Sequence, residues 1–586
     1  MAIRPNALNI TVSLFSAMLA GLSGAVTAAE LSTASQLVPV DDGRVKVVDV
    51  GDVPLLSVSA LDVAERGGAE LVDVIVTYRN SADKADSLTM ELTLGDVLGD
   101  YEHLKMRSLR LSAEEIKKLA ENNAIAVIAL DEPVSALSAS ALETARQPAP
   151  DSSYNFPVAS GVGVAVIDSG VGLHGDLNVV ERVEMVPPAA SCAASGCDPN
   201  DPLGHGTHVA GIIGGDGYHS GEAYTGVAPG ASIYSIRVLK ADGSGQSSDV
   251  IEALDWVLAN AATKGIRVVN LSLGKAVEES LVTDPLVQAV NQVWDAGIVV
   301  VASAGNYGRG GNFSITSPAN SPKIITVGSL TDSGTGADFS DDYVSTYSSR
   351  GPTLTDHFLK PDLIAPGNRL IAAMAHQSKL MLDLPGNVPD CPACTGEYLE
   401  LSGTSMAAPM VSGTAALMLT QEPGLMPDDV KGRLMRSARN FDADPVEGGA
   451  GVLDIGAALA DTGYVTGAAQ SPHMGISEDG TSVTVQDTAG LWGDPAWSAS
   501  YLWSDSYLWS DSYLWSDSYL WSDSYLWSDS YLWSDSYLWS DSYLWSDSYL
   551  WSDSYLWSDS YLWSDAVDND DPLYSTSASS VSLNDD

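Results

Sequence analysis

Basic side chains are scarce in this chain. Its 586 residues include 28 Lys and Arg against 76 Asp and Glu, for a formal net charge of −48. A surface of that sign repels phosphate backbones, which argues against DNA or RNA as a partner. No Lys or Arg follows Arg439. Apolar runs long enough to cross a bilayer are missing beyond the N-terminus, so no transmembrane anchor is expected. HExxH, the phosphate-binding P-loop and the dinucleotide glycine pattern are absent, which removes zinc-peptidase and nucleotide chemistry. Cysteine is limited to four residues in two close pairs, Cys192/Cys197 and Cys391/Cys394. An even count favours disulfides in an exported chain. Of the three pairings, two local loops come first and a crossed pairing stays open, with a four-thiolate zinc site as the rival chemistry.

Residues 1–29 read as a secretory signal. Arg4 and the amino group supply the positive end, residues 12–26 are apolar and small, and small residues follow as a cleavage site. This places the protein outside the cell or at its surface. Residues 30–150 hold a small α+β unit at about 70–134 and then a linker rich in Ser, Ala and Pro. Within it, Ser112 and Glu115 form a capping box that predicts a helix over 112–122, between apolar strands at 71–78 and 124–130. Over 151–465, apolar runs of five to seven residues alternate with helical stretches. That alternation predicts an α/β domain, a doubly wound parallel sheet with helices on both faces.

An acidic linker (466–500) leads to eleven hexapeptide units (501–566), ten of them YLWSDS and the last ending in Ala566, and an acidic tail (567–586). The even period puts Tyr, Trp and Asp on one face of an extended strand and Leu, Ser and Ser on the other. Three readings follow: a β-repeat that adheres to a surface or carbohydrate partner, a low-complexity acidic spacer, or a handle removed on maturation.

Three segments carry reactive groups. In VAVIDSGV a buried strand ends in Asp168; in HGTHVAG an imidazole, His205, opens a helix; in GTSMAAP a hydroxyl, Ser405, opens another. Active sites of open parallel sheets lie at the carboxyl ends of the strands, where these three can meet. A Ser hydroxyl needs a base, which His205 supplies, and Asp168 can hold the imidazole in the right tautomer. Asn306, after an apolar strand and Ala304-Gly305, and the Ser405 N–H can together serve a developing oxyanion. His208, three residues from His205, reads as a packed structural histidine.

With those motifs in the order Asp, His, Asn, Ser, the chain resembles the subtilisin-like serine proteases over about 155–465; GVAPGASIYSIRVL (226–239), NLSLG (270–274) and GAGVLDIGAAL (449–459) add to the likeness. The resemblance implies a serine endopeptidase of broad sequence preference, needing no cofactor for its chemistry, made as a self-processing zymogen. It makes 70–134 a pro-domain that chaperones and inhibits the enzyme, with self-cleavage between about 134 and 155. It makes Gly243, Ser244 and Gly245, and Ser272, Leu273 and Gly274, two edge strands that pair with the substrate backbone. An S1 pocket then lies between 272–274, Ser303-Ala304-Gly305 and 316–318, with no acidic residue to select Lys or Arg. A structural calcium ion is also implied, with Asp176 as a ligand and the loop 216–224, including Glu222, as a source of others. The rival function is an adhesion protein whose repeat is the working part and whose protease domain serves maturation.

Overall fold

The computed structural model describes residues 54–68, 71–136, 161–187, 196–332, 339–441 and 443–476, short strands at 35–39, 45–49 and 483–485, and positions 159 and 192. The signal segment, the linker after residue 136 and the YLWSDS array lie outside the described residues.

The first unit of structure runs β1 (Leu55–Leu56), α1 (Val58–Arg66), β2 (Leu71–Tyr78), α2 (Ser81–Leu94), β3 (Asp96–Tyr101), β4 (Met106–Ser112), α3 (Ala113–Leu119) and β5 (Ile125–Leu130). The strands form a five-stranded sheet in the order β1-β5-β2-β4-β3, antiparallel except for β1 with β5. Glu115 reaches back to the Ser112 N–H at 2.7 Å, which closes the capping box and starts α3. One face of the sheet buries Val74, Val76, Leu109 and Leu111 against Ile116 and Leu119. The alternate residues Ile75 and Met106 face the other way and join the main core. The fold thus begins earlier than residue 70, because the short β1–α1 segment completes the sheet edge. It ends in a further strand, β6 (Pro133–Ala136).

The main sheet contains β7 (Gly163–Asp168), β8 (Val179–Glu184), β9 (Ser232–Arg237), β11 (Ile266–Leu271), β13 (Val299–Ser303), β14 (Ile325–Thr331), β15 (Tyr343–Val344) and β16 (Leu363–Pro366). Their order is β8-β9-β7-β11-β13-β14-β15, with β16 also paired to β14, and all pairs are parallel except β14 with β15. The labels β10 (Ser244–Gln246) and β12 (Leu273–Gly274) belong to two short strands outside this sheet. Helices α4 (His205–Gly214) and α7 (Thr404–Gln421) pack together on one face. Helices α5 (Ser247–Lys264) and α6 (Pro285–Asp295) pack together on the other. Every residue of β7 and β13 is buried, as expected of strands covered on both faces.

Candidate active site

Asp168 closes β7, where the chain turns over the carboxyl edge of the sheet. His205 opens α4 beside it, with Nδ1 2.8 Å from Asp168 Oδ1, the geometry of an Nδ1–H donating to the carboxylate. Both side chains are fully buried. The approach is close because residue 206 is Gly: a Cβ there would stand 2.1 Å from the Gly170 carbonyl oxygen. Burial disfavours a charged imidazole, but the adjacent carboxylate outweighs it and holds the His205 pKa above its ordinary value. With Nδ1 committed to Asp168, Nε2 is the nitrogen left to accept a proton.

Ser405 sits in the first turn of α7. Its Oγ donates to the Ser272 carbonyl at 3.1 Å, while Ser272 Oγ donates to the Ser405 carbonyl at 2.9 Å. These reciprocal bonds tie the nucleophile candidate to the segment entering β12. Asn306 follows β13. Its Oδ1 accepts from both the Thr404 N–H and the Thr404 hydroxyl, each at 3.0 Å. The carbonyl end of the amide is therefore engaged at the start of α7, and the NH₂ end is its donor group.

The short strands β10 and β12 flank β6 in a three-stranded antiparallel sheet, with β6 in the middle. Ser244 pairs with Ser135 and Gly245 with Val134 on one side; Leu273 pairs with Ala136 and Gly274 with Ser135 on the other. The Ala136 N–H adds a bond to the Gly243 carbonyl at 3.1 Å. Behind this strand, three segments converge. Lys275 and Ser317 exchange backbone bonds of 3.0 Å, and the Thr316 N–H reaches the Ala304 carbonyl at 3.0 Å. Ser303, Ala304 and Gly305 are buried beside them, with the Gly305 carbonyl bonded to the Ser349 N–H.

A family model described as "Subtilase family" matches residues 159–463. The chain is a subtilase. It is 36% identical over 344 residues to the serine protease AprX of Bacillus subtilis, an alignment covering 57% of this chain and 74% of that one. It is 32% identical to an alkaline protease of Alkalihalobacillus alcalophilus, with 59% of this chain and 77% of the relative aligned. The solved structure of fervidolysin from Fervidobacterium pennivorans, a keratinolytic enzyme related to subtilisin, matches with a TM-score of 0.53 at 23% identity, over 75% of this chain and 66% of that chain. That likeness speaks for the fold. With its protease relatives, the subtilase is a serine endopeptidase.

Sequence reasoning missed Asp201 in this subtilase. Its buried carboxylate accepts from the Ser169 hydroxyl (2.8 Å), the Gly204 N–H (2.8 Å), the Thr207 N–H (2.8 Å) and the Thr207 hydroxyl (2.5 Å). Burial pushes its pKa up to about 6, against the pull of those donors. Asp201 thereby clamps the turn after Asp168 to the first turn of α4. The available signal was an acid four residues before His205, too common a pattern to read without coordinates.

Asp176 does not present an open ligand. Its Oδ1 accepts from the His219 N–H at 2.8 Å and its Oδ2 from the Tyr398 hydroxyl at 2.6 Å. In the loop, the Gly217 carbonyl is taken by the N–H groups of Ser220 and Glu222. Among the described residues no group of three or more His, Cys, Asp or Glu is placed to hold a metal ion. This donor-rich setting does not fit calcium at Asp176. His208 is structural, its Nε2 held by the carbonyls of Leu399 and Leu370, and burial lowers its pKa to about 4. The cysteines pair locally, Cys192 with Cys197 and Cys391 with Cys394, so a four-thiolate zinc site is set aside. No helix among the described residues is long and apolar enough to cross a membrane.

Proposed function

We propose that this subtilase is a secreted endopeptidase made as a self-processing zymogen, cutting polypeptides through Asp168, His205 and Ser405. Ser405 Oγ attacks the scissile carbonyl, and His205 Nε2 takes its proton and returns it to the leaving amine. Asp168 holds the imidazole tautomer and stabilises the imidazolium. The Asn306 amide and the Ser405 N–H at the start of α7 receive the oxyanion. Substrate lies between β10 and β12, where main-chain pairing tolerates many side chains and 303–305 and 316–318 frame the primary pocket.

The observation that carries the reading is β6. A segment of the N-terminal unit lies as the middle strand between the two edge strands that substrate would use, held in register by both. That unit docks on the helices beyond the cleft as well: the N–H groups of His103 and Leu104 donate to Asp255 of α5 at 2.5 and 2.7 Å. An occupant of this kind excludes substrate, so the pro-region is the enzyme's own inhibitor. Export follows from the signal-like N-terminus and the two disulfides.

The test is Ser405→Ala, produced in a protease-free host beside the wild type. The variant is expected to lose casein hydrolysis and to stay uncut between residues 134 and 155, as read by mass spectrometry of the intact chain. Processing of the variant would overturn self-maturation, and residual casein hydrolysis would overturn Ser405 as nucleophile.

A further inference from the structure

The strand in the cleft brings a side chain whose partner the subtilase motifs do not account for. Alternation along the extended chain points Glu132, Val134 and Ala136 to one face and Pro133 and Ser135 to the other. Val134 is 2% exposed and Ala136 packs on the main core, whereas Pro133 and Ser135 are exposed. Glu132, on the buried side, forms an ion pair with Lys275, the residue that follows β12. Its backbone is fixed as well: the Glu132 carbonyl accepts from the Ser247 N–H and hydroxyl, at 2.8 and 2.6 Å, at the start of α5.

Lys275 is an unusual cation to find there. Its side chain is 5% exposed, and Asp284 Oδ2 and Glu279 Oε1 stand 3.7 and 3.9 Å from its Nζ, beyond hydrogen-bond range. Asp284 Oδ2 has no hydrogen-bond partner, and Glu279 interacts with the Thr283 side chain. Asp284 Oδ1 is committed to the Leu286 N–H as the cap of α6. The carboxylate that reaches the ammonium closely is thus the one the strand delivers. A buried ammonium that loses its close partner is costly, and a carboxylate offered to it makes a charge-assisted bond.

Resting on the reading that β6 stands where substrate binds, we propose that Lys275 is a specificity residue. It selects substrates with a carboxylate side chain two residues before the one that fills the Val134 position. A neutral side chain leaves the ammonium without its close partner, and a Lys or Arg meets it head-on. Glu279 sets the working range. It faces Lys275 after β12, Asp284 at the cap of α6 and Glu132 on the strand, and burial with Asp284 pushes its pKa up to about 8. Below that value Glu279 is neutral and does not repel the incoming carboxylate; above it the preference narrows.

The experiment uses quenched-fluorescence peptides copying residues 130–139, LDEPVSALSA, with Glu132 kept, changed to Gln or changed to Lys. They are presented to the purified active enzyme and to Lys275→Met at pH 7 and pH 9.5. In the wild type at pH 7, kcat/KM is expected to fall about tenfold from Glu to Gln and further for Lys. The Glu–Gln gap shrinks at pH 9.5 and vanishes in Lys275→Met. Equal rates for the Glu and Gln peptides in the wild type, or a preference that survives in Lys275→Met, would overturn the assignment. A second arm needs no catalysis. In the full chain carrying Ser405→Ala, Glu132→Gln is expected to speed amide exchange over 134–136 about tenfold, and Lys275→Met added to it to speed it no further. Unchanged exchange also overturns the assignment. Peptides left uncut by the wild type would sink the protease reading of the cleft, while the exchange arm would still decide for Lys275.

Discussion

Asn306, the proposed oxyanion donor, has its carbonyl oxygen occupied by two donors from Thr404. That fixes the amide's orientation before any substrate arrives, which is the condition for stabilising charge that exists only in the transition state. Asn306→Ala is therefore expected to lower kcat by about 10²–10³, about 3–4 kcal/mol, with little change in KM. Steady-state kinetics on a peptide substrate check this, and a large rise in KM at unchanged kcat would contradict it. The residues proposed for catalysis, Asp168, His205, Asn306 and Ser405, sit in short motifs whose chemistry has few alternatives. Asp201 and Lys275 were not legible. Their roles depend on neighbours from other parts of the chain: Asp201 binds Ser169, 32 positions away, and Lys275 binds Glu132, 143 positions away. The two bonds that Asp176 accepts were not legible either, since they come from segments that no local pattern announces.

Elements were legible in proportion to their apolar contrast. The strands at the centre of the main sheet are rich in Val, Ile and Ala and stand close to where the apolar runs place them. The edge strand β8, VVERVE, mixes valines with charged residues without alternation and is buried at no position, and β15 has only two residues, so neither carried a signal. At α5 the cap is built from another part of the chain. The helix starts at Ser247, and two of its first N–H groups, those of Ser247 and Ser248, are taken by the Glu132 carbonyl and the Asp131 carboxylate. A second such element is the segment after the domain. The Leu359 N–H donates to the Pro472 carbonyl at 2.9 Å, the Met474 N–H to the His357 carbonyl at 2.8 Å, and the rings of His357 and His473 lie 6.5 Å apart. Burial lowers these imidazoles to about 4 and about 3. Both values fall below the unfolded value of about 6.5, so the folded state holds fewer protons in that window. The stability they contribute is present above about pH 6.5 and is lost as pH falls through about 4 and then about 3. In the Ser405→Ala background, stability read from urea unfolding is expected to drop between pH 7 and pH 4, by about 3 kcal/mol for each imidazole. His473→Gln should flatten that slope; an unchanged slope would remove the pair from the account.

For the whole molecule the dominant quantity is the net charge of −48. Self-repulsion of that size strains any compact state, and salt relieves it as the screening length shrinks to about 3 Å at 1 M. The thermal midpoint of Ser405→Ala is expected to rise steadily from low salt to about 1 M NaCl. A flat or falling curve would mean that local ion pairs, not the overall field, govern stability. The strand lodged between β10 and β12 has a consequence at this scale too. While a covalent tether holds it, its local concentration is set by the connecting chain, of millimolar order for a short flexible link, and diluting the sample changes nothing. Once that tether is cut, the same segment competes only at its bulk concentration. On the proposed reading of that strand as an inhibitor, silence before the cut would be a matter of connectivity and silence after it a matter of volume: a thin broth would free the enzyme sooner than a crowded one.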